Sequence, residues 1–308
     1  MQNPFVKRTT GAAVAAALGA ALVAVGGCSA TSAQADKPAA TAAAVGKQAT
    51  GLPKTDAATS AAIDRALAGA HRSDANRARD PFRHPKQTLE FFGLRQDMTV
   101  MEIWPGAGGW YAEILAPVLK DKGRYVAAGW DPKSEVKFVQ DGIKAFQSKL
   151  DATPDVYGRT QVTALQMPNA MQPVPPGSVD LVLTFRNLHN WMAREGAATA
   201  MLKAAYDALK PGGVLGVVDH RANAAAPVDP AAKSGYVNEQ FAIDLVKSVG
   251  FEFVGSSEIN ANPKDTKDYE QGVWTLPPTY RLGDRDRAKY AAIGESDRFT
   301  LKFRKPLQ

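Results

Sequence analysis

Between residues 99 and 256 the chain alternates short apolar runs with stretches whose apolar residues return every three or four positions. The runs cover residues 99–103, 124–130, 161–165, 178–185, 213–219 and 251–256. They are nearly all apolar, as strands covered on both faces must be. Between them lie four stripes: Tyr111, Ile114, Leu115 and Val118; Val136, Val139, Ile143, Phe146 and Leu150; Met201, Leu202, Ala205 and Leu209; and Phe241, Leu245 and Val246. Each marks a helix with one buried face. Pro117 is expected to kink or end the first of these helices. Pro211 and Gly212 of "LKPGG" should stop the third, and Asn238 should cap the fourth, which Gly250 ends. Such alternation implies an α/β chain built on a parallel, doubly wound sheet with right-handed crossovers. One further run, "RFTLKFR" at residues 298–304, alternates apolar and polar residues. It predicts a single antiparallel strand, half solvated, and the irregular polar stretch 260–296 before it requires no helix.

The N-terminal end reads differently. Lys7 and Arg8 precede an apolar stretch, residues 11–25, that is too short for a membrane span of about 20 residues and has the form of an export signal. It runs into Val25-Gly26-Gly27-Cys28, which resembles a bacterial lipoprotein cleavage box. Residues 1–27 are therefore expected to be a lipoprotein signal peptide, with Cys28 as the lipidated residue. Cys28 is the only cysteine, so no intramolecular disulfide and no cysteine-rich metal site can form. A lipidated Cys28 places the protein in the cell envelope, held to a membrane by its anchor. Ser29 favours the outer membrane, facing the periplasm. Residues 28–57 hold almost no large apolar side chain and read as a flexible tether. Residues 58–308 suffice for one sizeable domain, opening on a short helix marked by Ala61, Ile63, Leu67 and Ala70.

The formal charge is +6. Lysines and arginines are scattered and no aromatic run interleaves with them, so the pattern of a nucleic-acid surface is missing. A small-molecule or lipid-like substrate is the expected partner.

Within this order of elements sits "VMEIWPGAGGW", residues 100–110: an apolar run closing on an acid, then a glycine-rich turn. Together with "RDPFRHPKQTLEFFGL", "SVDLVLTFRNLHNW", "LKPGGVLGVVDHRA" and "DRFTLKFRKP", it resembles the class I S-adenosylmethionine-dependent methyltransferases. The resemblance is nearest to a bacterial group of lipoprotein-like predicted methyltransferases and covers residues 75–308. It implies a Rossmann-like, doubly wound seven-stranded sheet of order 3-2-1-4-5-7-6, with strand 7 antiparallel. It implies S-adenosylmethionine as cofactor, held by Glu102, Gly106, Gly108 and Gly109 at the first turn. Asp131 at the tip of the second strand would take the ribose hydroxyls. The family's acid after strand three is missing, so Gln166 or Asn169 would take the adenine amino group, with Met167 against its face. Trp104 stands where the family has the first of its three glycines. It either packs beneath the sheet or narrows the pocket.

The fourth strand leads into Arg186, Asn187, His189 and Asn190, and the fifth into Asp219, His220 and Arg221. Neighbouring strands would bring these groups to one crevice. Methyl transfer needs a positioned nucleophile and a base where that nucleophile carries a proton. His189 and His220 are the base candidates, since imidazole titrates near neutrality. Asn187 and Asn190 can orient substrate or the sulfonium end, and Arg186 and Arg221 suit an anionic substrate. Arg79, Asp80, Arg83 and His84 lie either over the cleft or in a solvated ion-pair turn. Histidine spacing supports no metal site. Two further readings stay open beside methyl transfer: a non-catalytic lipoprotein that uses the fold to bind a ligand or partner, and, more remotely, a nicotinamide-dependent oxidoreductase.

Overall fold

The computed structural model describes residues 51–307. The signal segment, Cys28 and most of the expected tether lie outside the described residues. Seven strands form one sheet: β1 (Thr99–Ile103), β2 (Arg124–Gly129), β3 (Gln161–Ala164), β4 (Val179–Phe185), β5 (Leu209–His220), β6 (Glu252–Ser257) and β7 (Arg298–Arg304). Their order is β3-β2-β1-β4-β5-β7-β6, with β7 antiparallel to both neighbours. The chain winds outward from β1 in one direction and from β4 in the other, so the carboxyl ends of β1 and β4 bound a crevice at the switch point.

Helices α1 (Ala57–Ala68), α2 (Asp74–Arg77), α3 (Asp80–Arg83) and α4 (Pro85–Phe92) precede the sheet. Next come α5 (Ala112–Leu119), α6 (Lys137–Ala152), α7 (Pro154–Tyr157), α8 (Leu188–Met192), α9 (Ala197–Ala208), α10 (Glu239–Ser248) and α11 (Arg287–Ile293). Strand periodicity splits the core in two. Met101, Ile103 and Val126 face α8, α9 and α10. Val100, Ala127 and Leu181 face α1, α4, α5 and α6. Among the described residues no helix is long and apolar enough to cross a membrane.

Four expectations change on contact with the structure. The folded body starts before residue 58, because Leu52 packs on the α1/α4 side of the core. Pro117 neither ends nor interrupts α5, which continues to Leu119. A proline there has no N–H for the carbonyl four residues back, and that carbonyl, on Glu113, lies 2.7 Å from His71 Nε2 instead. The segment around Arg79, Asp80, Arg83 and His84, for which a solvated ion-pair turn was one expectation, is largely helical and partly buried: Arg72 and Arg83 are each 2% exposed. Finally, β7 is not half solvated. It lies between β5 and β6, and its polar face is buried against α4. Arg298 pairs with Glu295, Thr300 accepts from Asn260, and Lys302 Nζ donates to the Phe91 carbonyl at 3.0 Å. Alternation in sequence therefore marks a buried polar face whose groups mostly find partners within the fold, Arg298 Nε being an exception, so burying it costs little.

Candidate active site

The first turn follows β1 directly. Trp104 takes the left-handed backbone conformation, φ 53°, which costs a side-chain-bearing residue about 1–2 kcal/mol. That is the geometry a glycine serves without strain. The indole is held in return: its Nε1 donates to the Leu165 carbonyl at 2.7 Å, and its ring meets Trp130 at 6.2 Å and Trp191 at 5.9 Å. Leu165 follows β3 and Trp130 follows β2. The side chain thus lies across the carboxyl ends of the sheet from β1 to β3, and packs on the α8/α9 side of the core. Of the two expectations for Trp104, packing holds, and the packing also narrows the cleft.

Beyond it the turn is bare. A Cβ on Gly106 or Gly108 would meet nothing within 4 Å, so both open onto free space. Gly109 differs: a Cβ there would come within 2.6 Å of the Phe146 ring. Its bareness serves packing of α6 against the turn. Glu102 is 3% exposed and accepts from Tyr125 Oη at 2.5 Å. Burial pushes its carboxyl up to about 7, against the pull of Tyr125 and Arg186.

These residues open on a polar cavity of ≈ 250 Å³ at the carboxyl ends of β1, β4 and β5. Glu102, Gly106, Asn187, His189 and His220 all line it. Asn187 clamps the switch point: its Nδ2 donates to the Ile103 carbonyl at 3.0 Å and lies 3.3 Å from Thr184 Oγ1. His189 is fixed twice by Asp219, which is fully buried. Its backbone N–H donates to Asp219 Oδ2 at 3.0 Å, and its Nδ1 lies 2.8 Å from Oδ1. Nδ1 therefore carries the proton, and Nε2 is the nitrogen left to accept one. His220 Nδ1 lies 2.5 Å from Ser296 Oγ. Burial, His189 and three arginines hold the His220 imidazole well below its ordinary range, so it stays neutral. His189, Asp219 and His220 bring their donor atoms within 4.8 Å of one another, close enough for a metal. The Asp219 oxygens, however, already accept from His189 and from the His220 N–H at 2.8 Å, and the neighbouring arginines repel a cation.

The cavity wall comes from two further segments. Arg83 enters from α3, and Trp274, Pro277, Glu295 and Ser296 enter from the irregular stretch between β6 and β7. Sequence reading missed Glu295 and Trp274. The signal was length: the 40 residues 258–297 between β6 and β7 exceed an ordinary connection, and such segments usually carry function. Arg83 lines the cavity and Arg79 reaches it only through Glu295, whereas Asp80 is committed to Arg72, at 2.7 and 2.8 Å, and His84 only joins two helices. Arg221 is turned away: it pairs with Glu258 at 2.7 Å and Glu239 at 3.0 Å and does not line the cavity. Its expected role with an anionic substrate is corrected to an ion pair.

The residues expected to hold a nucleoside are not brought to this cavity. Asp131 is 9% exposed, and its Oδ1 accepts from the Lys133 N–H at 2.9 Å, capping its own turn. Gln166 Oε1 accepts from the Asp131 N–H at 2.8 Å. Neither lines the cavity, nor do Met167 and Asn169. A second, apolar cavity of ≈ 190 Å³ lies on the other side of Trp104, Pro105 and Gly106, walled by Trp130, Phe146 and Val162.

The architecture has counterparts among solved structures, at low sequence identity. An S-adenosylmethionine-dependent methyltransferase from Aquifex aeolicus is 15% identical, superposes with a TM-score of 0.50, and matches over 80% of this chain and 98% of its own. The fold is that of the class I methyltransferases. The [4+2]-cyclase SpnF is 15% identical, with a TM-score of 0.51, over 84% of this chain and 100% of its own. One architecture thus carries different named activities, so the fold alone does not select the reaction. No family model matches the chain, and no curated protein matches it by sequence.

Proposed function

We propose that the chain is an S-adenosylmethionine-dependent methyltransferase acting on a small or lipid-like acceptor. One observation carries the reading: the open backbone of Gly106 lines the cavity that holds His189 and its partner Asp219, with Gly108 bare further along the same turn. The residues suit the amino-acid end of that cofactor, with Glu102, Gly106 and Gly108 around it. Its nucleoside end, between Asp131 and Gln166, requires the Trp104 side chain to turn aside. That movement gives up the hydrogen bond to the Leu165 carbonyl and the contacts with Trp130 and Trp191.

The cofactor would supply an electrophilic methyl group. The chain supplies the rest. Asn187 fixes the spacing of the β1 and β4 ends. Asp219 holds the His189 ring in one tautomer, and His189 Nε2 accepts the proton that an acceptor hydroxyl, amine or thiol must lose. Burial keeps bulk water from competing for the same sites. The test is turnover: S-adenosylmethionine conversion by the full chain with a bacterial envelope extract, lost in His189→Gln. Absence of turnover in the native chain overturns the reading.

A second reading is that the fold binds a ligand without this cofactor. The indole lying across the strand ends favours it. So does the proposed address. We place the mature chain on a bacterial membrane through lipid at Cys28, outside the compartment where the cofactor is made, and a charged sulfonium does not cross a bilayer unaided. Palmitate labelling that persists in Cys28→Ala, or is absent from the native chain, contradicts the anchor.

A further inference from the structure

The cavity carries more positive charge than its own acids neutralise. Glu295, 2% exposed, is the common partner of three arginines: Arg79 Nε at 2.6 Å, Arg83 Nε at 3.1 Å, and Arg298 Nη2. Burial alone would raise the Glu295 carboxyl, yet Arg298, Arg83, Arg79 and Arg186 together hold it well below the carboxylate range. It is therefore ionised, and both of its oxygens are in use.

The fourth arginine, Arg186, makes no ion pair or side-chain hydrogen bond among the described residues. It extends from the end of β4 with φ 59° and lines the cavity. Arg83 is 2% exposed, yet its Nη1 and Nη2 have no partner. Its guanidinium lies 4.7 Å from the centre of the Trp110 ring. Buried donors of this kind are costly when unmet, more so when charged, and an uncompensated buried cation costs more still. Three guanidinium groups line the cavity, those of Arg83, Arg186 and Arg298, and with Arg79 beside them they outnumber the lining acids Glu102 and Glu295, a surplus that the protein does not itself satisfy. Arg83 and Arg186 both wall the cavity; the Arg83 Nη atoms lie just behind its surface, so an incoming group meets Arg186 first.

We infer that the acceptor carries an anionic oxygen group, a carboxylate or a phosphate, which the guanidinium groups of Arg83 and Arg186 receive beside His189. This rests on the reading of the cavity as the acceptor site. Guanidinium suits both oxyanions through paired N–H donors. His189 then stands next to the anchored group, so the anion fixes which atom of the molecule faces the base. Arg298 lends charge without leaving Glu295.

The full chain is titrated with inorganic phosphate and, separately, with succinate, following tryptophan fluorescence; Trp110 and Trp274 report on the cavity. The expected result is saturable binding of one or both, weakened about tenfold or more in Arg186→Gln and in Arg83→Gln. It should stay unchanged in Arg221→Gln, whose guanidinium faces Glu258. Preference between the two anions identifies which group the acceptor carries. Arg186 has no partner to lose, so Arg186→Gln keeps the test valid where Arg83→Gln disturbs Glu295. Two results overturn the inference: neither anion saturates, or Arg186→Gln binds as the native chain does. A third does so as well: S-adenosylhomocysteine affinity that falls with Arg186→Gln as steeply as anion affinity, which assigns the arginines to the cofactor's own carboxylate. A chain that binds anions but no S-adenosylhomocysteine keeps the anion site and overturns methyl transfer.

Discussion

The indole Nε1 of Trp104 donates to the carbonyl of Leu165 at 2.7 Å, tying the end of β1 to the end of β3 across β2. Trp104 achieves this from a left-handed backbone, so removing the side chain and relieving the strain are separable. Trp104→Ala loses the packing and keeps the strain, and should destabilise by about 2–4 kcal/mol. Trp104→Gly loses the same packing but sits at ease, and should be about 1 kcal/mol more stable than the alanine variant despite glycine's usual penalty. Chemical denaturation of the two variants side by side measures the difference.

Glu102 links stability to pH. Its carboxyl is raised from 4.5 to about 7 by burial. The folded state therefore binds a proton that the unfolded state has released, and the stabilisation is present below pH 4.5 and lost as pH rises towards 7. The loss is on the order of 3 kcal/mol. Glu102→Gln should flatten the stability profile across that window. Denaturation midpoints at a series of pH values check the slope.

Glu295 is the counter-ion of a buried cluster. Glu295→Gln leaves Arg79, Arg83 and Arg298 facing one another without their shared carboxylate. A loss of about 3–5 kcal/mol is expected. High phosphate should restore part of it, because the anion replaces the missing charge. Thermal unfolding with and without phosphate reads both effects.

The glycines of the first turn divide by cause. Gly109→Ala drives a Cβ to within 2.6 Å of Phe146 in a left-handed conformation. It should cost about 2–4 kcal/mol. Gly108→Ala meets nothing within 4 Å, so stability should change by about 0.5 kcal/mol or less. Any effect of Gly108→Ala on ligand binding is then direct. Calorimetry separates the pair.

The alternation of strands and helices was legible because hydrophobic period and connection rules both depend on neighbours in the chain; the strand order came only with the family resemblance, and the alternation that marked β7 reflects a buried polar face and not a solvated one. Glu102 and Gly106 were singled out by the resemblance and His189 by its place after β4, and all three line the cavity. The misreadings share another origin. Arg221 and Arg186 occupy equivalent places after β5 and β4, and only the presence of Glu239 and Glu258 beside one of them separates an ion pair from a free donor. Arg83 and Glu295 meet across 212 residues, beyond any local pattern. The tolerance of Pro117 depended on His71, 46 positions earlier in the chain. Trp104 was conspicuous as a departure, but its direction is set by Leu165, Trp130 and Trp191 jointly.

The most direct test of methyl transfer is equilibrium binding of S-adenosylhomocysteine to the full chain and to Trp104→Ala. Micromolar binding is predicted for the native chain, about tenfold tighter once the indole is gone, and abolished by Gly106→Arg. No binding by either the native chain or Trp104→Ala at millimolar ligand contradicts the account.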